Sequence, residues 1–136
     1  VIGLVGIAAA PDFTEALVHG GLLPEQMLQL ELSGSCAIDN CYDDGDSYLI
    51  SKTLLDEGRE HCLLEREFIA IDSPVRLLHG QRDEDVPWNR SLLLAEKLAG
   101  ENVELQLIKD GDHRLSRPRD LQRLFATLEA LLGDLD

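Results

Sequence analysis
Pro74–Trp88, PVRLLHGQRDEDVPW, decides the fold. Val75 to Leu78 reads as a short buried strand that runs into a polar turn. The turn carries His79, Gly80, Asp83 and Asp85 and closes on Val86-Pro87. An apolar β run that stops at glycine and then presents an acid holds a carboxylate at the carboxyl end of a parallel strand. Open α/β sheets bind their ligands at that end. A second such place follows at Asp110 to His113, DGDH, directly after another strand.

Outward from that stretch, the pattern stays α/β. Val1 to Ala9, VIGLVGIAA, is an apolar run stopped by Ala10-Pro11. It fits a strand buried on both faces. Standing first in the chain, it implies a neighbouring strand upstream. Residues 12 to 32 carry a helical pattern broken at His19-Gly20-Gly21, with Pro24 opening a second helix. Residues 33 to 47 are polar and rich in Gly, Ser and Asp, which predicts a loop. Residues 48 to 63 return to helical spacing. The spacing next predicts a helix over 91–98, capped by Asn89, with Leu93, Leu94 and Leu98 inward. Val103, Leu105 and Leu107 alternate with Glu104 and Gln106, as in a half-exposed strand near a sheet edge. Leu121, Leu124, Phe125, Leu128, Leu131 and Leu132 then form the apolar face of a last helix. The expected order is strand, helical insert, strand, helix, strand, helix, with three parallel strands.

Composition excludes several function classes. The chain of 136 residues has 26 acidic and 12 basic residues, a formal net charge of -14. Phosphate binding needs a basic patch, and none is visible, so neither nucleic acid nor an anionic membrane surface is an expected partner. No apolar run is long enough to span a bilayer. The acidic cluster Asp39, Asp43, Asp44 and Asp46 reads as a solvated loop, because DNCYDDGD lacks EF-hand spacing. The 3 cysteines, Cys36, Cys41 and Cys62, are odd in number and include no CxxC. They read as reduced thiols of an intracellular protein, with a cytoplasmic location expected. No metal-ligand spacing occurs, and neither a metal nor a cofactor is expected.

The stretch His79-Gly80-x-x-Asp83-x-x-Val86-Pro87 resembles the acid turn of the α/β hydrolases, and Gly111-Asp112-His113 resembles their histidine loop. Four stretches, APDFT (Ala10 to Thr14), LLPEQ (Leu22 to Gln26), DEGREHCLLERE (Asp56 to Glu67) and PVRLLHG, are similar to one branch. It comprises the mitochondrial palmitoyl-protein thioesterase and acyl-glucuronide esterase and their bacterial relatives. The resemblance covers nearly the whole chain but only the second half of the family's domain. It implies the C-terminal part of an α/β-hydrolase fold across residues 1–136, with residues 12–70 as a helical, lid-like insertion. It also implies Asp83 as the acid and His113 as the histidine of a Ser–His–acid triad acting on an ester or thioester.

A triad hydrolase further needs a nucleophile on a G-x-S-x-G elbow and an oxyanion hole. This chain has no such elbow. Both parts are therefore expected in a missing N-terminal half, and the chain alone should be inactive. Phe13 and Trp88, large apolar groups just past strand ends, are the candidate substrate contacts. A non-catalytic binding or dimerisation module is the alternative. An exposed apolar strand over 1–9 would invite pairing with another chain, hence a homo-oligomer.

Overall fold
The computed structural model describes residues 1–39 and 47–133. Readings that fall on Cys41, Asp43, Asp44 and Asp46 lie outside the described residues. The rest forms two compact units, Val1–Pro11 with Leu64–Asp136, and Asp12–Leu63.

The first unit is built on a parallel sheet of β1 (Leu4–Ile7), β4 (Val75–Gly80) and β5 (Val103–Ile108), in the order β1-β4-β5. Leu4 stands opposite Val75 and Val75 opposite Val103, so all three strands start level. The central strand β4 is buried at every residue, as a strand covered on both faces must be. Its apolar run places Val75, Leu77 and Leu78 almost wholly inside. The strand expected over 1–9 is shorter and less buried. Leu4 and Ile7 are exposed, because β1 is hydrogen-bonded only to β4 among the described residues and lies at the sheet edge.

Helices α3 (Asn89–Lys97) and α4 (Pro118–Gly133) follow β4 and β5. The leucines foretell their inner faces only in part: Leu98, just past α3, and Leu131 of α4 are buried as expected, but polar residues share the inner line. On α3 the fully buried residue is Ser91, while Leu92 and Leu93 are exposed. Trp88, not Asn89, holds the cap position, and it makes no side-chain cap bond. On α4 the inner line runs through Asp120, Thr127 and Leu131, and Leu121, Phe125 and Leu132 face outward. The polar members are tolerated inside because each is paired. Asp120 accepts from Arg117 and Arg123, and Thr127 Oγ1 accepts from Gln106 Nε2 at 3.1 Å.

The second unit begins with a π turn (Thr14–Val18) and a 3-10 turn (His19–Gly21), which is where the sequence breaks at His19-Gly20-Gly21. Helix α1 (Pro24–Ser33) starts on Pro24, with the Leu23 amide donating to Gln26 Oε1 at 2.9 Å. It ends on Gly34 at φ 75°, which returns its amide to Leu30 O. The stretch expected to be a loop and a helix instead supplies an antiparallel pair, β2 (Ser35–Asp39) and β3 (Ser47–Ser51). The cause is packing: Cys36 and Ile50 stand opposite each other and bury against Leu30 and Leu55. Helix α2 (Lys52–Glu60) then starts where Ser51 Oγ caps the Leu54 amide at 3.0 Å. No helix among the described residues is long and apolar enough to cross a membrane.

Candidate active site
The site lies where β4 and β5 end. Gly80 and Ile108 are the last paired residues of the two strands, and the acid turn and the histidine loop start directly after them. The two turns touch through backbone. A Cβ on Gly80 would collide with the Gly111 carbonyl group and Asp112 O, and one on Gly111 would stand 2.9 Å from Gly80 Cα. Glycine at both positions lets the turns close on each other. Two amide bonds secure the contact, Arg82 N to Gly111 O at 2.9 Å and Gln81 N to Ile108 O at 2.8 Å.

This approach brings Asp83 and His113 together across 30 residues of sequence. Asp83 Oδ2 accepts a hydrogen bond from His113 Nδ1 at 2.9 Å. The Asp83 side chain is wholly buried, and that of His113 remains 32% exposed. Asp83 Oδ1 accepts the amides of Asp85 at 2.9 Å and Val86 at 2.8 Å. Burial alone would push the Asp83 carboxyl up. The Val86 amide, the His113 ring and the Asp85 amide outweigh it and hold the carboxyl below its ordinary value of 3.8. Asp83 is therefore an ionised acceptor facing an imidazole, and with the Nδ1 proton directed at it, His113 Nε2 carries the ring's lone pair.

The histidine loop is braced on its own side. Asp112 Oδ1 accepts the Leu115 amide at 2.8 Å, and Leu115, at φ 45°, is buried beside Leu78 and Ile108. Behind it, Arg117 bonds Asp110 O at 2.8 Å and Asp120 Oδ2 at 2.5 Å. Arg119 also pairs with Asp110. These contacts anchor the loop to the first turn of α4.

Asp85 gives the turn its backbone amide and is not the residue that Nδ1 of His113 meets. Asp83, Asp85 and His113 place one ligand atom each within 4.8 Å of one another, a spacing that a cation could bridge. Yet both Asp83 oxygens already serve protein donors, so a metal there would have to displace them. Trp88 is half-buried at the entry to α3. In the other unit, Phe13 is 48% exposed. It lines an open cavity of about 270 Å³ with Leu54, His61, Asp12 and Glu57.

Sequence reading did not assign His79 and Ser91 to the site. His79 Nε2 meets Asp83 Oδ2 and Val86 O, both at 3.0 Å, and its Nδ1 meets Ser91 Oγ at 2.6 Å. The available signal was a histidine next to the last residue of a buried strand, followed by a serine among leucines on the next helix.

No protein-family model matches the chain. The mouse (Mus musculus) protein named palmitoyl-protein thioesterase ABHD10, mitochondrial, is 36% identical over 135 residues, 99% of this chain and 45% of the relative. The structure of alpha/beta hydrolase domain-containing protein 10 from mouse superimposes with a TM-score of 0.84 at 35% identity, covering 100% of this chain and 54% of that one. A crystal structure from Agrobacterium vitis S4 gives a TM-score of 0.88 at 35% identity, covering 95% of this chain and 49% of that one. The chain thus spans about half the length of the curated relatives it matches. The cytoplasmic expectation is overturned, since the matched thioesterases are named mitochondrial. Reduced thiols misled the assignment, because they fit any reducing compartment and cannot tell one from another. The chain has the C-terminal part of the α/β-hydrolase fold and matches the C-terminal half of the mitochondrial palmitoyl-protein thioesterase branch.

Proposed function
We propose that Asp83 and His113 are the acid and the histidine of a serine hydrolase acting on esters or thioesters, with the nucleophile and oxyanion donors supplied by sequence outside this chain. The carrying observation is the 2.9 Å bond from His113 Nδ1 to the buried Asp83 carboxylate, beyond the ends of adjacent parallel strands. In this role Asp83 fixes the tautomer and steadies the imidazolium that forms. His113 Nε2 takes the serine proton during attack and returns it to the leaving group. The thioesterase name of the relatives supports a fatty-acyl thioester as the substrate class. Residues 12–70 serve as the helical, lid-like insertion, and Phe13 and Trp88 are each candidate substrate contacts.

The test uses the full-length protein. A fluorophosphonate probe should label it and abolish hydrolysis of a fatty-acyl thioester, and the His113→Ala variant should lose both. An unlabelled, inactive protein would instead favour a non-catalytic binding module. Self-association through strand 1–9 would then follow from its exposed Val1, Ile2, Leu4 and Ile7.

A further inference from the structure
We propose that His79 and Ser91 are positioning residues for the Asp83–His113 pair: Ser91 holds His79 as the neutral ring protonated on Nε2, and that N–H shares Asp83 Oδ2 with His113. The proposal rests on the hydrolase reading for its catalytic consequence. Its hydrogen-bond chain stands on geometry alone.

The proton positions follow from the partners. His79 Nε2 faces the Asp83 carboxylate and the Val86 carbonyl, and neither can donate. The nitrogen between them therefore carries the proton. At the other end of the ring, Nδ1 lies 2.6 Å from Ser91 Oγ. His79 and Ser91 are both fully buried. No other acceptor among the described residues receives the Ser91 hydroxyl. A neutral ring gives that hydroxyl an acceptor at Nδ1. A doubly protonated ring would turn a donor toward it and strand the hydroxyl hydrogen in the interior, where an unmet donor is costly.

The consequence falls on the carboxylate. Two amides of the turn hold Oδ1, and two imidazoles share Oδ2. Rotation about the Cβ–Cγ bond moves both oxygens together, so the two amides on Oδ1 and the His79 N–H on Oδ2 resist it jointly. The His79 N–H adds the restraint on the oxygen that His113 uses, from inside the protein. It also ties the turn back to β4 and, through Ser91, to α3. His113, the more exposed of the two rings, then meets an acceptor whose plane is already set.

Nitrogen-15 NMR of histidine-labelled full-length protein reads the first half. His79, identified by its loss in His79→Leu, should show a protonated Nε2 and an unprotonated Nδ1. Protons on both nitrogens, or on Nδ1 alone, would overturn the proposal. Kinetics read the second half. His79→Leu should lower kcat for ester hydrolysis by about tenfold with KM unchanged. His79→Gln, whose side-chain amide offers a donor near the Nε2 position, should recover most of that loss. A role limited to packing predicts the reverse order, because leucine suits a buried site better than glutamine, and that order would also overturn the proposal. If the wild-type protein hydrolyses no ester, the hydrolase reading fails alone, and the ring nitrogens still decide the chain of hydrogen bonds.

Discussion

The acid turn and the histidine loop follow adjacent strands, yet they are built to different standards of restraint. Asp83 is wholly buried, and both of its oxygens are engaged by named donors. His113 stands at the end of a loop and keeps about a third of its side chain exposed. The loop is held from behind, by Leu115 in the core and by Arg117 between Asp110 and Asp120. In the proposed roles, an acid that only orients its partner gains from burial and immobility, whereas a base that must reach substrate stays partly exposed and is immobilised through its neighbours.

The largest effect should come from the exposed partner. In the full-length protein, His113→Ala should lower kcat by about 10⁴-fold or more, with the thermal midpoint nearly unchanged. A loss below about tenfold would break the comparison at its base. Asp83→Asn should follow, at about 10³ to 10⁴-fold. The new amide can still accept at Oδ1, but its NH₂ would oppose the His113 Nδ1 proton and drive that proton to Nε2. Ring nitrogen spectra would show the change directly.

Gly80→Ala should disrupt both turns at once, because its Cβ would run into the Gly111 carbonyl group. Backbone cannot move aside as a flexible side chain can, so about 3 kcal/mol of stability should be lost in denaturant unfolding. Asp120→Ala should loosen only the histidine loop. Arg117 and Arg123 are partly exposed and can turn to water once their carboxylate is gone, which limits the cost to about 1–2 kcal/mol. Faster amide exchange confined to residues around His113 would separate the two turns.

The smallest effect is on pH dependence. The folded structure holds Asp83 and Asp120 below the ordinary value of 3.8. For Asp120 the first cause is its bond from Arg117. A depressed carboxylate contributes stability that is present above its unfolded value and lost as pH falls through its folded value. The unfolding free energy should therefore drop on acidification below about pH 4, and Asp120→Asn should flatten that drop. A slope unchanged by the substitution would remove Asp120 from the account.

Much of the framework was legible in sequence. A continuous apolar run ending in glycine specifies a covered parallel strand, so β4 could be read from Val75 to Leu78. Pro24 marks the start of α1. Alternation of Val103, Leu105 and Leu107 placed β5 near an edge. Other features were not local. Ser35–Asp39 and Ser47–Ser51 have loop composition, and they pair because Cys36 and Ile50 find a common core with Leu30 and Leu55. The inner faces of α3 and α4 were legible only in part: Leu98 and Leu131 are buried as expected, but a bonded Ser91 and a paired Asp120 take inner places while Leu93 and Leu121 are exposed.

By itself the sequence determined the three parallel strands, the helices that follow β4 and β5, and the two residue types, acid and histidine, that stand in the turns after those strands. Tertiary structure alone decided which acid oxygen meets which ring nitrogen, and that His79 and Ser91 stand behind them. The reason is range. Hydrophobic periodicity acts over a few residues, whereas the Asp83–His113 bond spans 30 residues and depends on two glycines letting two turns touch.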